Sequence, residues 1–178
     1  QLSNKIEHLY REIWTQMGPD LLPFDQIKTI NSMLFEKYKF RANTKNFHAP
    51  GNSMINNLLE SLKGNPISLS ALYLLITQKL GLPIFGVNLP NLFVLTYKTE
   101  KLQFYINVFN RGLIFSKEDI DNYIAQLQLM PQNEYFEPCD HGQIIKRSLR
   151  NLMIAFDKIG DYHKSDEIKK LMSLITGS

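Results

Sequence analysis

The chain has 178 residues, of which 44% are apolar and 11% aromatic, so it can form one domain with a sizeable core and does not belong to the disordered or low-complexity classes. Its formal net charge is +3, and the basic residues are scattered among acidic ones, which excludes the concentrated basic surface of a nucleic-acid-binding domain. The single cysteine, Cys139, excludes an intrachain disulfide. We therefore expect a soluble globular domain that binds no nucleic acid.

No segment predicts insertion into a membrane, because no run approaches the roughly 18–20 apolar residues that a membrane helix needs. A cytoplasmic location is favoured. The chain begins at Gln1 rather than Met, so an excerpt of a longer protein and a processed form without its signal peptide both stay open. The basic residues Lys146, Arg147 and Arg150 are interpreted as a solvated helix face.

Three helices are predicted before residue 64. Apolar spacing over residues 3–17 and 24–39 predicts two amphipathic helices. Residues 40–51 are rich in turn formers and lack an apolar period, which predicts an ordered surface loop. A third helix is predicted from residue 52 or 53 to residue 63, with Gly64 in the left-handed conformation that often ends a helix.

The stretch from Gly64 to Gly86 predicts a central helix and the strand that follows it. Asn65 is positioned to cap the helix, Pro66 suits its first turn, and Gly81 ends it. Apolar residues occur on nearly all sides of this helix, which predicts that it is buried in the core.

Beyond the central helix the apolar period changes to about two, which predicts antiparallel strands over residues 83–89, 92–97 and 102–108. A turn over residues 98–101 pairs Leu92 with Asn107. The same register pairs Phe93 with Ile106. A slip of one residue in this register would place Leu92 and Asn107 on opposite faces of the sheet.

The last third of the chain predicts a short edge strand at residues 112–115 and a capped helix from Ser116 to about residue 129. Residues 130–140 are interpreted as a linker. From residue 141 onward, two apolar stripes at helical spacing predict a helical hairpin that turns at Gly160. The first stripe is Ile145, Leu149, Leu152, Phe156 and Ile159, and the second is Ile168, Leu171, Met172 and Ile175.

Several blocks of the sequence resemble the SirB-type branch of the transglutaminase-like superfamily. The most specific blocks are NSMINNLLESLKGNPISLSALY and LGLPIFGVNLP, followed by FYINVFNRG and RSLRNLMIAFDKIGDYHKSDEI. The resemblance implies an α+β fold with a papain-like core, in which a central helix packs on a small antiparallel sheet flanked by N-terminal and C-terminal helices. It also implies that the terminal hairpin is a tetratricopeptide-like unit.

A single domain over residues 1–178 is therefore expected. Its N-terminal helices span residues 1–63, its core helix, sheet and following helix span residues 64–130, and its C-terminal hairpin spans residues 141–178.

The resemblance also implies where catalytic residues would lie. Active members carry a nucleophilic Cys at the start of the central helix, a His on one strand and an Asp on the next. In this chain the Cys position falls within residues 66–68, where Ser68 is the only hydroxyl, the His position is Leu92 and the Asp position is Asn107. Leu92 cannot transfer a proton, and Asn107 carries no charge that could stabilise an imidazolium.

Two functional hypotheses follow from these positions. The preferred one is a catalytically inactive domain that binds a protein or peptide, or serves as a structural module of a longer chain. The alternative is a hydrolase or acyltransferase with a rebuilt site in which Ser68 acts with His48, although a serine near a helix start is more often a capping residue.

No cofactor or metal site is predicted. The sequence contains no Gly-rich phosphate loop, and His8, His141 and His163 lack a second His, Cys or acidic partner at metal-ligand spacing.

Overall fold

The computed structural model describes residues 2–45 and 55–176. Its strands are β1 Arg41–Ala42, β2 Lys63–Gly64, β3 Ile84–Leu89, β4 Leu92–Lys98, β5 Gln103–Asn107 and β6 Leu113–Phe115. Its α-helices are α1 Leu2–Gln16, α2 Pro23–Asn31, α3 Ile55–Ser61, α4 Pro66–Lys79, α5 Lys117–Gln126, α6 His141–Lys158 and α7 Tyr162–Thr176. The main sheet is antiparallel with the order β3-β4-β5-β6, which confirms the predicted α+β class.

Helix α4 is the predicted central helix, and local chemistry fixes both of its ends. The Asn65 side chain accepts a hydrogen bond from Ser68 N at 2.9 Å, and Asn65 N donates to Ser68 Oγ at 3.1 Å, which together form a capping box. Pro66 occupies the first turn, where its missing N–H removes no helical hydrogen bond. Beyond the helix, Gly81 adopts a φ of +72°, a left-handed conformation that glycine reaches without strain.

Two hydrophobic cores lie on opposite faces of the main sheet. The first, the α4-side core, joins buried residues of α1, α2 and α4 to strand residues such as Phe93 and Leu95. The second, the α5-side core, joins Val94 to Ile120 and Ile124 of α5. Successive residues of β4 thus contribute to different cores, as the alternation of a strand requires.

The pairing of β4 with β5 differs from the predicted register by two residues. Leu95 pairs with Ile106, whereas the predicted register paired Phe93 with Ile106. Leu92 is therefore not opposite Asn107, and that prediction is wrong. Because the side-chain period of a strand is two residues, this shift leaves every side chain on its predicted face.

The turn between β4 and β5 explains the shift. Thr99 N donates to Leu102 O at 2.8 Å, and Thr99 Oγ1 accepts from Leu102 N at 3.1 Å. These bonds place Glu100 and Lys101 at the centre of the turn. The predicted turn was centred one residue earlier, and that displacement shifts the pairing by two.

The second predicted helix is present but not uniform. Helix α2 continues directly into a π-helical segment, Ser32–Lys37, which Lys39 follows with a φ of +63°. The predicted third helix corresponds to α3. Residues 46–54, which contain half of the predicted loop and the predicted start of α3, lie outside the described residues.

Gly64 does not end α3 in the predicted left-handed conformation. Leu62 takes the positive φ of +61° instead, and Gly64 pairs with Ala42 in a short parallel ladder between β2 and β1. A Cβ at Gly64 would lie 2.4 Å from Ser68 Oγ. The glycine is therefore required by the close approach of the Ser68 side chain rather than by its own backbone angles.

Helices α6 and α7 pack against each other and form the predicted helical hairpin, with Gly160 at a φ of +79° in the turn between them. Helix α6 also contacts α4 and β3. The first predicted stripe is only partly buried, since Ile145 is 48% exposed and Ile159 is 63% exposed. Within the described part of the chain, no helix has the length and apolar character needed to cross a membrane.

Candidate functional site

A cleft of about 530 Å³ opens at the start of α4. Four segments meet there: the N-terminus of α4, the turn between β3 and β4, the 3₁₀ turn Asn133–Tyr135, and one side of α6. The lining residues are Asn65, Pro66, Asn88, Leu89, Pro90, Asn91, Glu134, Tyr135, Arg147, Arg150, Asn151, Ile154 and Ala155. The cleft therefore lies beside the helix start where the resemblance implies a catalytic residue.

Ser68 is not among the described residues that line this cleft. Its side chain is fully buried, and its Oγ both accepts from Asn65 N and donates to Asn65 O at 3.3 Å. The hydroxyl thus serves the capping box of α4. A nucleophilic hydroxyl needs a path to substrate, which the complete burial of the Ser68 side chain does not provide.

Leu92 and Asn107 lie on the side of the sheet that faces away from α4. Leu92 pairs with Leu89 and packs against the α5-side core. Asn107 shares the face of Tyr105 by strand alternation, and its Oδ1 accepts a hydrogen bond from Asn110 N at 3.3 Å. The structure does not bring these two residues together with Ser68.

The proposed substitute base, His48, lies outside the described residues. His8 and His163 each have an acidic neighbour one turn along their helix, contrary to the sequence-based expectation. His8 Nε2 lies 3.4 Å from Glu12 Oε1, and His163 Nδ1 lies 3.7 Å from Glu167 Oε1. These are surface pairs, and no group of three or more potential metal ligands occurs among the described residues.

Arg147 is the most constrained charged side chain of the cleft. Its Nη1 donates to Asn88 Oδ1 and, at 2.7 Å, to Leu89 O, so the guanidinium is fixed against the β3–β4 turn. Burial, and then the nearby charge of Arg150, lower the pKa of the Arg147 guanidinium. The interpretation of residue 147 as part of a solvated helix face is therefore wrong, whereas Arg150 is exposed as expected.

The chemistry of the cleft lining suits binding better than proton transfer. Four asparagine side chains offer donors and acceptors, and Glu134, Tyr135, Arg147 and Arg150 are the titratable groups. The described lining residues include no Cys, Ser, Thr, His or Lys. A nucleophile paired with a base is thus missing from this part of the cleft.

Cys139 lies close to the cleft but is unsuited to act as a nucleophile. Its backbone N donates to Gly86 O at 2.7 Å, and its Sγ would lie 3.2 Å from a Cβ at Gly86. Burial raises the pKa of its half-buried thiol to about 11. At neutral pH the group is therefore a thiol rather than a reactive thiolate.

Comparison with known proteins gives several relatives of similar sequence. A UPF0162 protein of Xylella fastidiosa is 26% identical over 165 residues, covering 83% of this chain and 56% of the relative. A UPF0162 protein of Haemophilus influenzae is 24% identical and covers 93% of the chain and 70% of the relative. F-box only protein 21 of Mus musculus is 29% identical over 108 residues, covering 56% of the chain and 17% of the relative.

The chain thus spans 56% of the length of the Xylella relative. No solved structure matches it. The family model of the transglutaminase-like superfamily matches residues 1–150, which include α4, the main sheet and the first half of α6. The chain therefore belongs to the transglutaminase-like superfamily.

Proposed function

We propose that this chain is a non-catalytic transglutaminase-like domain that binds a peptide segment of a partner protein in the cleft at the start of α4. One observation carries the proposal: the hydroxyl nearest the nucleophile position is buried in the capping box, while the cleft beside it is lined by amide, guanidinium and apolar groups. Such a lining can hold a peptide through hydrogen bonds and apolar contact without reacting with it.

The finer family assignment belongs to the same proposal. We assign the chain to the SirB-type branch and interpret α6 and α7 as a single tetratricopeptide-like unit within a domain that spans residues 1–178. In support, α6 contributes five lining residues to the cleft and α7 packs on α6. The hairpin would then act as one side of the binding cleft.

The catalytic part of the proposal is tested with a serine-directed fluorophosphonate probe. We expect no covalent labelling of the wild type and none of Ser68→Ala, because the Ser68 hydroxyl is fully buried and both accepts and donates within the capping box. Labelling of the wild type that disappears in Ser68→Ala would instead establish the serine enzyme that the sequence left open.

The binding part is tested by selection from a display library of short random peptides. Peptides enriched on the wild type are expected to bind Ile154→Trp at least about tenfold more weakly, since the indole would occupy the cleft. Ile145→Trp is the matched control, because Ile145 is an exposed residue of the same helix that does not line the cleft. Failure to enrich any peptide, or equal binding by both variants, would contradict the proposal.

A further inference from the structure

We propose that the bound peptide segment is acidic, with a carboxylate seated against Arg147 and Arg150 in the cleft. This inference rests on the proposed function, which it deepens by naming the chemistry of the ligand. Arg147 and Arg150 lie one helical turn apart on α6 and both line the cleft. Side chains at this spacing share a helix face, so one carboxylate can interact with both.

Among the described residues, no carboxylate is paired with the arginines of the cleft. Across residues 2–45 and 55–176, neither Arg147 nor Arg150 has a carboxylate within 4.0 Å. The one acidic residue of the described lining, Glu134, is exposed and is not paired with either. The cleft therefore keeps an excess of positive charge.

The hydrogen bonds of Arg147 indicate why this excess of positive charge points to an acidic ligand. Its guanidinium is fixed by two neutral oxygens, on Asn88 and Leu89, and both bonds use Nη1. No described residue accepts from its Nε or Nη2. Arg147 is half-buried. A charge partly removed from water is stabilised by an opposite charge nearby, which a ligand carboxylate would supply here.

The remaining lining suits a peptide rather than a free anion. The side chains of Asn91 and Asn151 can bond peptide N–H and C=O groups, and Leu89, Pro90 and Ile154 offer apolar contact to flanking side chains. The N-terminus of α4 at the cleft adds a partial positive charge. A nucleic acid is disfavoured because the formal net charge of the chain is only +3 and its basic residues are scattered among acidic ones.

The test compares two fluorescein-labelled peptide pools of equal length and identical flanking residues. One pool carries Asp or Glu at its central positions, and the other carries Asn or Gln there. We expect the acidic pool to bind more tightly in fluorescence anisotropy, and its affinity to fall as NaCl is raised from about 0.05 to about 0.5 M. Inorganic phosphate should displace it no better than chloride at equal ionic strength.

Variants of the exposed residue Arg150 locate the effect. Arg150→Gln should weaken binding of the acidic pool about fivefold and Arg150→Glu should weaken it more, and each variant should weaken the acidic pool more than it weakens the amide pool. Lys158→Gln removes one charge from the same helix outside the cleft and should change neither pool. Circular dichroism confirms that each variant is folded.

The outcomes separate the two proposals. Equal binding of both pools, with no effect of Arg150→Gln, would overturn the acidic-ligand inference and leave peptide binding intact. Displacement by phosphate at far lower ionic strength than by chloride would also overturn it, in favour of a phosphate site. Binding of neither pool, together with no enrichment of any random peptide, would overturn peptide binding itself.

Discussion

At the scale of single residues, Asn31 connects three separate parts of the chain. Its Oδ1 accepts from the hydroxyl of Tyr73 in α4 at 2.9 Å, and its Nδ2 donates to Gly112 O at 2.8 Å. Tyr73 is fully buried, and burial raises the pKa of its hydroxyl well above the usual range, so the group remains a hydrogen-bond donor. Gly112 has a φ of +72° and leaves room for the amide, because a Cβ there would lie 2.0 Å from Asn31 Oδ1.

We expect Asn31→Ala to lower the free energy of unfolding by about 1–3 kcal/mol, because it leaves the buried Tyr73 hydroxyl without an acceptor. Tyr73→Phe should cost less, about 0.5–1.5 kcal/mol, since it removes the donor together with its need for a partner. Urea denaturation measures both. Asn56→Ala, at an exposed position of α3, is the control, and an equal effect of Asn31→Ala and Asn56→Ala would show that the connection contributes nothing.

Residue roles could be predicted from the sequence where they depend on near neighbours. The capping role of Asn65 and the structural role of Ser68 depend on four consecutive positions in the chain, and the capping box between Asn65 and Ser68 is present in the structure. Arg147 could not be recognised in this way. Its partners Asn88 and Leu89 lie in a distant hairpin, and only the packing of α6 on β3 makes the residue part of a site.

At the scale of elements, Gly86 lets β3 pack closely against Phe93 and Cys139. Its φ is not positive, so the backbone itself accepts a side chain. A Cβ would nevertheless lie 2.6 Å from Cζ of Phe93 and 3.2 Å from Sγ of Cys139. The buried Phe93 ring cannot move away without disturbing the α4-side core.

Gly86→Ala should therefore destabilise the protein by about 1–3 kcal/mol through overpacking. Gly18→Ala is a matched control, because its φ is also not positive and the nearest atom to its added Cβ, Leu21 Cγ, is 3.9 Å away. That variant should be neutral or slightly stabilising. The midpoints of urea unfolding give the comparison, and similar values for the two variants would argue against a packing role for Gly86.

The register of β4 and β5 shows why the pairing of two strands is harder to predict than the strands themselves. Alternation of apolar and polar residues distinguishes the two faces of a strand, so it excludes a slip of one residue but accepts a slip of two. The actual register is chosen by the Thr99 side chain, which closes the turn on Leu102. A side-chain hydrogen bond of this kind cannot be predicted from the pattern of apolar residues.

At the scale of the whole molecule, the succession of periods predicted the order of the elements, helical before residue 81, strand-like afterwards and helical again at the end, and the family resemblance implied the α+β class. The position of the cleft could not be predicted from this succession. The cleft is lined by four segments between Asn65 and Ala155, and no local sequence pattern predicts which segments meet. The family resemblance implied a catalytic position at the start of α4, and only the three-dimensional packing shows that Arg147 and Arg150 lie beside it.

The hydrogen bond from Cys139 N to Gly86 O has a consequence for how the molecule meets other copies of itself. Strand β3 is an edge of the sheet and carries Phe85 at 44% exposure, and exposed apolar edge strands can pair with strands of another chain. The backbone N–H of Cys139 occupies the Gly86 carbonyl on this edge.

Cys139→Pro removes this backbone N–H, whereas Cys139→Ala keeps it. We expect the mass measured by light scattering to rise with concentration for Cys139→Pro alone, and equal masses for both variants would contradict this. The segment that connects α5 to the hairpin would then also limit strand pairing between copies of the chain.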